Sequence, residues 1–251
     1  MKLLAFDTST EVMSIAVAHD AQLWQHTGAG GAQASSTLIP AIQALMAQAG
    51  LRLEQLDAIA FGRGPGSFTG LRTACAVAQG LAFGASAKFP HGASAKVWPG
   101  TGASSEVKVL PIDTLLAVAE EARYLHGATR VRALLDARMD EMYLADYEFE
   151  SNLWRPDGGF SLIQPENLQA RAGWALAGNV FAAYGARLAG QDAPCHAALP
   201  TATAMLRLAP GLIAAGRAVS ADQALPLYIR DKVAKTTDER AAERAALSPT
   251  I

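Results

Sequence analysis

The chain has 251 residues, of which 51% are hydrophobic and 18% charged, with a formal net charge of -2 at pH 7. That length can bury one large core or two smaller ones, and the composition excludes a disordered chain, which combines low hydrophobicity with high net charge. There is no basic surplus to mark a nucleic-acid binder, and two cysteines, Cys75 and Cys195, exclude a disulfide framework or a cysteine-rich zinc site.

In chain order, Leu3–Phe6 predicts a short strand, Asp7–Thr10 a polar turn and Met13–Ala18 a second strand. Leu23 and Trp24 add a third, so the first 27 residues predict an antiparallel meander. The apolar run ending at Phe6 is too short for a signal-peptide core, and no run of about 18 apolar residues follows, so a cytoplasmic setting without membrane contact is expected. After a Gly-rich loop at 28–31, Ser35, Ser36 and Thr37 offer N-caps to a helix. Leu38, Ile39, Ile42, Leu45 and Met46 recur at helical spacing along it, and Gly50 ends it. Pro40 fits that helix only within its first turn. Leu56–Phe61 predicts a buried strand, GRGPGSFTG at 62–70 a loop, and Leu71–Phe83 a helix stopped at Gly84.

GASAKFPH at 84–91 and GASAKVWP at 92–99 form a near-duplication, too few units for a solenoid, so 85–106 is expected to be an exposed loop insertion. Val107–Ile112 resumes as a strand, and Asp113 or Thr114 caps a helix through Leu115, Leu116, Val118 and Ala119. Val131–Leu135, a turn at 138–140 and Met142–Phe149 then repeat the opening plan, with Asp136 in the place of Asp7. Leu176–Gly178 predicts a strand, and Thr201–Ala215 a helix stopped at Gly216. The expected organisation is an N-terminal subdomain over 1–127, a C-terminal one over 128–235 and a flexible tail over 236–251.

The usual catalytic patterns are missing. Five histidines occur without HExxH or HxxxH spacing, so no metal site is expected. Ser67 lacks the G-x-S-x-G spacing of a nucleophile elbow. Cys75, among Ala and Val, reads as a small core residue. The loop Gly62, Arg63, Gly64, Pro65, Gly66 is the strongest feature. Its amides can hold an anion at a helix N-terminus, or the glycines can serve a tight turn that brings helix and sheet close. It matches neither the Walker loop nor G-x-G-x-x-G.

FDTSTEVMSIAV at 6–17, FGRGPGSFTGLR at 61–72, AQGLAFGA at 78–85, PIDTLLAVAEEA at 111–122, LLDARMDEMYLADY at 134–147 and PLYIRDKVA at 226–234 together resemble the TsaB (YeaZ-type) family. The match runs from residue 1 to about 235, interrupted at 85–106. The resemblance implies an α/β fold of the actin-like ATPase (ASKHA, ribonuclease H-like) class, built from two duplicated subdomains. It implies a non-catalytic subunit that joins the paralogous catalytic subunit TsaD, with the small ATPase TsaE. The shared reaction is transfer of threonylcarbamoyl to N6 of adenosine 37 in ANN-decoding tRNAs (t6A). On this reading ATP or ADP and metal belong to the partner subunits, tRNA is met only through the complex, and the chain alone can form a homodimer. The rival reading is an active actin-fold kinase or a metallopeptidase-like enzyme.

Against the rival, the Asn-His-x-x-x-His metal motif implied for the catalytic paralogue aligns with Asp113, Thr114 and Val118, and Val is no ligand. Asp7, Thr8, Ser9 and Asp136 then read as vestigial phosphate-binding positions: Asp136 is followed by Ala137, Arg138 and Met139 rather than by small residues. Gly178 is followed by Asn179 rather than by a second glycine. The helix over 71–84 is apolar nearly all round, with Arg72, Thr73 and Gln79 its polar side chains. Small residues at Ala76, Ala78, Gly80 and Gly84 would let a second helix approach. An outer helix normally shows polar residues on its solvent side, so a partner surface is expected at Leu38, Ile42, Leu45, Arg72, Ala76, Ala78, Gly80 and Phe83.

Overall fold

The computed structural model describes residues 1–86, 106–188 and 192–230. In β1 (Lys2–Asp7), Leu3 and Ala5 face one side and Leu4 and Phe6 the other. All four are buried, as a strand covered on both faces requires. β1 pairs antiparallel with β2 (Val12–His19), which pairs antiparallel with β3 (Gln22–Ala29). After α1 (Ala34–Gln48), β4 (Ala58–Gly64) lies parallel to β1. After α2 (Phe68–Ser86), β5 (Lys108–Asp113) lies parallel to β4, giving the order β3-β2-β1-β4-β5.

Helix α3 (Thr114–His126) leads to a second sheet. Its elements are β6 (Arg130–Arg138), β7 (Glu141–Glu150), β8 (Leu153–Pro156), β9 (Ser161–Ile163), β10 (Ala175–Gly178), the short α4 (Phe181–Tyr184) and β11 (Cys195–Ala197). The order β11-β10-β6-β7-β8, with β9 beside β7, repeats the first sheet strand for strand and direction for direction. This is the duplicated plan of the actin-like ASKHA fold. The final helix, α5 (Ala202–Ala214), returns to the first sheet.

Helices α1 and α2 cover one face of the first sheet around Phe6, Ile15, Ile59 and Phe61. Helix α5 covers the other face against Leu3, Ala5, Ala60 and Ile112, while α3 packs on β6 and touches α5. The two helices thus lie between the sheets. Glu120 of α3 is 2% exposed and holds Arg123, Arg207 of α5 and the indole of Trp154, each at 2.9 Å. No helix among the described residues is long and apolar enough to cross a membrane.

The elements differ from expectation at several points. Ser35, Ser36 and Thr37 do not cap α1; they lie in its first turn, where Ser36 and Thr37 donate back to the Gln33 carbonyl at 3.0 Å. Pro40 is the seventh residue of α1, and the hydrogen bond it cannot make belongs to Ser36, which is exposed and can turn its carbonyl to water. Helix α2 begins at Phe68 and runs through Gly84 to Ser86, since one interior glycine costs about 1 kcal/mol and does not stop a packed helix. Gly50 and Gly216 do end their helices, both with positive φ. Most of the expected insertion (87–105) and the whole expected tail (236–251) lie outside the described residues.

Candidate functional site

The Asp7–Thr10 turn and the 62–70 loop pack into one unit at the carboxyl ends of β1 and β4. Asp7 is 0% exposed. Its Oδ1 accepts hydrogen bonds from the Ser9 amide (2.9 Å) and the Ser9 hydroxyl (2.7 Å), and its Oδ2 has no partner. Burial pushes its pKa up from 3.8 to about 7, against the smaller opposing pull of the Ser9 bonds. A Cβ on Gly62 would lie 1.8 Å from Asp7 Oδ2, and one on Gly70 1.8 Å from the Thr8 carbonyl oxygen, so neither position admits a side chain. Thr8 Oγ1 donates to the Gly70 carbonyl (2.7 Å) and the Ser67 amide to the Ser9 carbonyl (2.8 Å).

The rest of the loop is tied inward as well. The Gly64 amide donates to Thr114 Oγ1 (3.1 Å), Arg63 pairs with Asp113 (2.6 Å), and the Arg63 carbonyl accepts from the Leu227 amide (2.7 Å). Pro65 is buried, and Gly66 backs onto Ser9. The glycines let this loop pack tightly against the Asp7–Thr10 turn, and the Gly64 and Ser67 amides are bonded within the protein.

Asp136 leads the equivalent turn of the second sheet. The Arg138 amide donates to its Oδ1 at 2.8 Å, as the Ser9 amide does to Asp7. The Tyr184 hydroxyl donates to the same oxygen (2.8 Å), and burial and this bond push Tyr184 up to about 12. The Asp136 amide donates to Asn179 Oδ1 (2.9 Å). The Arg138 guanidinium lies 3.2 Å from Asp136 Oδ2 and 3.3 Å from Glu11 of the first sheet's turn, bridging the two halves.

A cleft of about 310 Å³ lies between the turns, lined by Ser9, Gly66, Asp136, Arg138, Asn179 and Tyr143. The segment Leu227–Arg230 crosses it, with Arg230 paired to Glu141. A magnesium nucleotide, the ligand of active actin-like folds, needs carboxylate oxygens open to the hydrated ion and bare backbone against phosphate. The residues here do not fit it. Asp7 is enclosed, Thr8 and Ser9 are buried, and Arg138 stands on Asp136. At the positions aligned with the paralogue's metal motif, Thr114 serves the Gly64 amide and Val118 is core. Among the described residues no three His, Cys, Asp or Glu side chains gather as a metal site.

The expected partner residues divide. Leu38, Ile42 and Leu45 of α1 and Ala78 of α2 are buried against the first sheet and cannot meet a partner; they are the stripe that seats the helices. Arg72, Ala76, Gly80 and Phe83 are exposed on the opposite side of α2, Phe83 at 56%. The C-terminal segment covers one flank of the helix, where Cys75 and Gln79 donate to the Ala224 carbonyl, and among the described residues this stripe is left open. Beside the stripe stand Phe68 and Tyr228, which the sequence reading missed, and exposed Leu225 follows Ala224 on the covered flank; PLYIR was part of the resemblance, but nothing in it says where the segment lands.

Comparison with known proteins gives a consistent picture. The family model described as TsaD, tRNA N6-adenosine threonylcarbamoyltransferase, matches residues 17–90. The tRNA threonylcarbamoyladenosine biosynthesis protein TsaB of Escherichia coli (strain K12) is 32% identical, covering 93% of this chain and 96% of that protein. The TsaB of Haemophilus influenzae is 34% identical, covering 93% and 95%. The solved structure of YeaZ from Pseudomonas aeruginosa superposes with a TM-score of 0.76 at 36% identity, covering 91% of this chain and 99% of that one. Identity of this order across nearly the full length of both partners means that the chain belongs to the TsaB family.

Proposed function

We propose that the chain is a non-catalytic scaffold and activator subunit of t6A formation. It pairs with TsaD through α2 and supports threonylcarbamoyl transfer to N6 of adenosine 37 in ANN-decoding tRNAs. TsaE, ATP or ADP and the metal act on the partner side, and tRNA is reached through the complex. The observation that carries this reading is the open stripe of α2. Ala76 and Gly80 leave room for close helix approach, with nothing within 4 Å of a Cβ on Gly80, and Phe83 stands exposed beside them. The kinase or metallopeptidase-like alternative has less support, because neither Asp7 nor Asp136 offers a free carboxylate to the cleft and Val118 occupies a ligand position.

Two substitutions separate the faces of α2. Ala76→Glu is expected to fold normally, lose TsaD in co-purification, and fail to support t6A formation on tRNA. Ala78→Glu places a charge in the core and is expected to abolish folding. Normal TsaD binding by Ala76→Glu refutes the docking face, and t6A synthesis by this chain without TsaD refutes the scaffold role.

A further inference from the structure

We propose that Arg72 and Tyr228, stacked on Phe68, form a carboxylate receptor at one end of the α2 docking face, and that the surface continues onto the C-terminal segment through Leu225. The proposal rests on the docking reading above and adds the chemistry its partner must bring. The Phe68 and Tyr228 rings lie 5.3 Å apart, with the Arg72 guanidinium 3.8 Å from the Phe68 centroid. That stacking holds the fork in place without consuming its donors. Arg72 Nε donates to the Tyr228 hydroxyl oxygen at 3.0 Å, so the hydroxyl acts there as acceptor and its own proton is free to be donated.

Arg72 makes no ion pair among the described residues, whereas Arg63, Arg123, Arg207 and Arg230 each hold a carboxylate. A positioned guanidinium whose terminal nitrogens have no hydrogen-bond or ion-pair partner among the described residues, beside a hydroxyl able to donate, suits a carboxylate. It is also the one charge on an otherwise apolar stripe. Phe68, Arg72, Ala76 and Gly80 follow one another at four-residue steps along one side of α2, with Tyr228, 43% exposed, packed on Phe68, and Leu225, 64% exposed, one residue beyond Ala224, whose carbonyl accepts from Gln79. The complementary partner is therefore a helix with an apolar face and an Asp or Glu at the end that meets Arg72.

Titration calorimetry with purified TsaD at low and moderate salt tests this. Arg72→Glu is expected to weaken binding by about thirtyfold or more, and Arg72→Gln and Tyr228→Phe each by about three- to tenfold, in the range of truncated interfacial charge pairs. The Arg72→Gln complex should lose the salt dependence of the wild type, which a merely structural contact would not change, while the Tyr228→Phe complex keeps it. Leu225→Asp should weaken binding by about tenfold. All three positions are exposed, and unchanged thermal melts check the fold. If Arg72→Glu and Tyr228→Phe bind TsaD like the wild type while Ala76→Glu does not bind, the receptor is refuted and the docking face stands. If Ala76→Glu binds as well, both are refuted.

Discussion

Asp7→Asn should flatten the pH dependence of stability. The folded chain holds the Asp7 proton to about pH 7, against 3.8 for the free group, because burial disfavours the charge more than the two Ser9 hydrogen bonds favour it. A raised folded-state pKa means that this contribution is fully present below pH 3.8, declines as pH rises, and is gone above about pH 7. The full shift corresponds to at most about 4 kcal/mol, of which about 3 kcal/mol falls between pH 5 and pH 8. Asn at this position still accepts both Ser9 hydrogen bonds through its Oδ1 and places an uncharged amide where Oδ2 now lies unpartnered against Gly62. The two proteins should therefore have similar stability at the acidic end and diverge as pH rises, the variant becoming the more stable. Urea unfolding followed by tryptophan fluorescence across this range measures the difference directly, since every other titrating group cancels in it. Parallel stability profiles for the two proteins would refute the assignment of a proton to Asp7 in the fold.

Two glycines of the same helix should respond in opposite directions. Gly70→Ala, whose Cβ meets the Thr8 carbonyl, should cost at least about 3 kcal/mol, whereas Gly80→Ala, with open space around it, should gain about 0.5–1 kcal/mol; thermal melts rank them. Glu120→Ala leaves Arg123 and Arg207 without their shared buried counter-ion and should cost about 3–5 kcal/mol in urea unfolding. Burial alone would raise the Glu120 pKa, but the Arg123, Trp154 and Arg207 hydrogen bonds outweigh it and lower the pKa. The wild type should therefore lose stability on acidification through the Glu120 titration, and a Glu120→Gln variant should lose less.

The parts of the fold legible in the sequence were those in which the chain is its own neighbour. The Asp-led turns after β1 and β6 can be read from local pattern, because each is closed by a bond between residues two apart. So can the strand-turn-strand repeat. The faces of α2 could not be read. Its residues are so uniformly small and apolar that no period separates inside from outside, and only packing shows that Gly70, Ala74, Ala78 and Ala82 face the sheet while Ala76 and Gly80 do not. On α1 the periodicity was clear, but it marks the buried stripe: Leu38, Ile42 and Leu45 recur because the sheet needs them. The C-terminal contacts at Tyr228 and Leu227 join residues more than 150 positions apart, and local pattern has no means of reporting them.

The glycines of the 62–70 loop show how one local pattern can serve either of two chemistries. A Gly-rich turn before a helix frees amides for an anion only if nothing else in the chain needs them. Here Gly62 and Gly70, together with Gly66, stand against Asp7, Thr8 and Ser9 respectively, so the bare backbone accommodates the neighbouring turn rather than a phosphate. The twin turn at Asp136 fills its share of the cleft in another way. The residue two positions after the aspartate is Arg138 instead of Ser9; its amide makes the same bond, but its side chain reaches across to Glu11 and joins the two halves. One turn is closed by glycines and the other by an arginine. Among the described residues, the surface this leaves accessible to another protein includes the outer side of α2, next to Arg72, which makes no ion pair there.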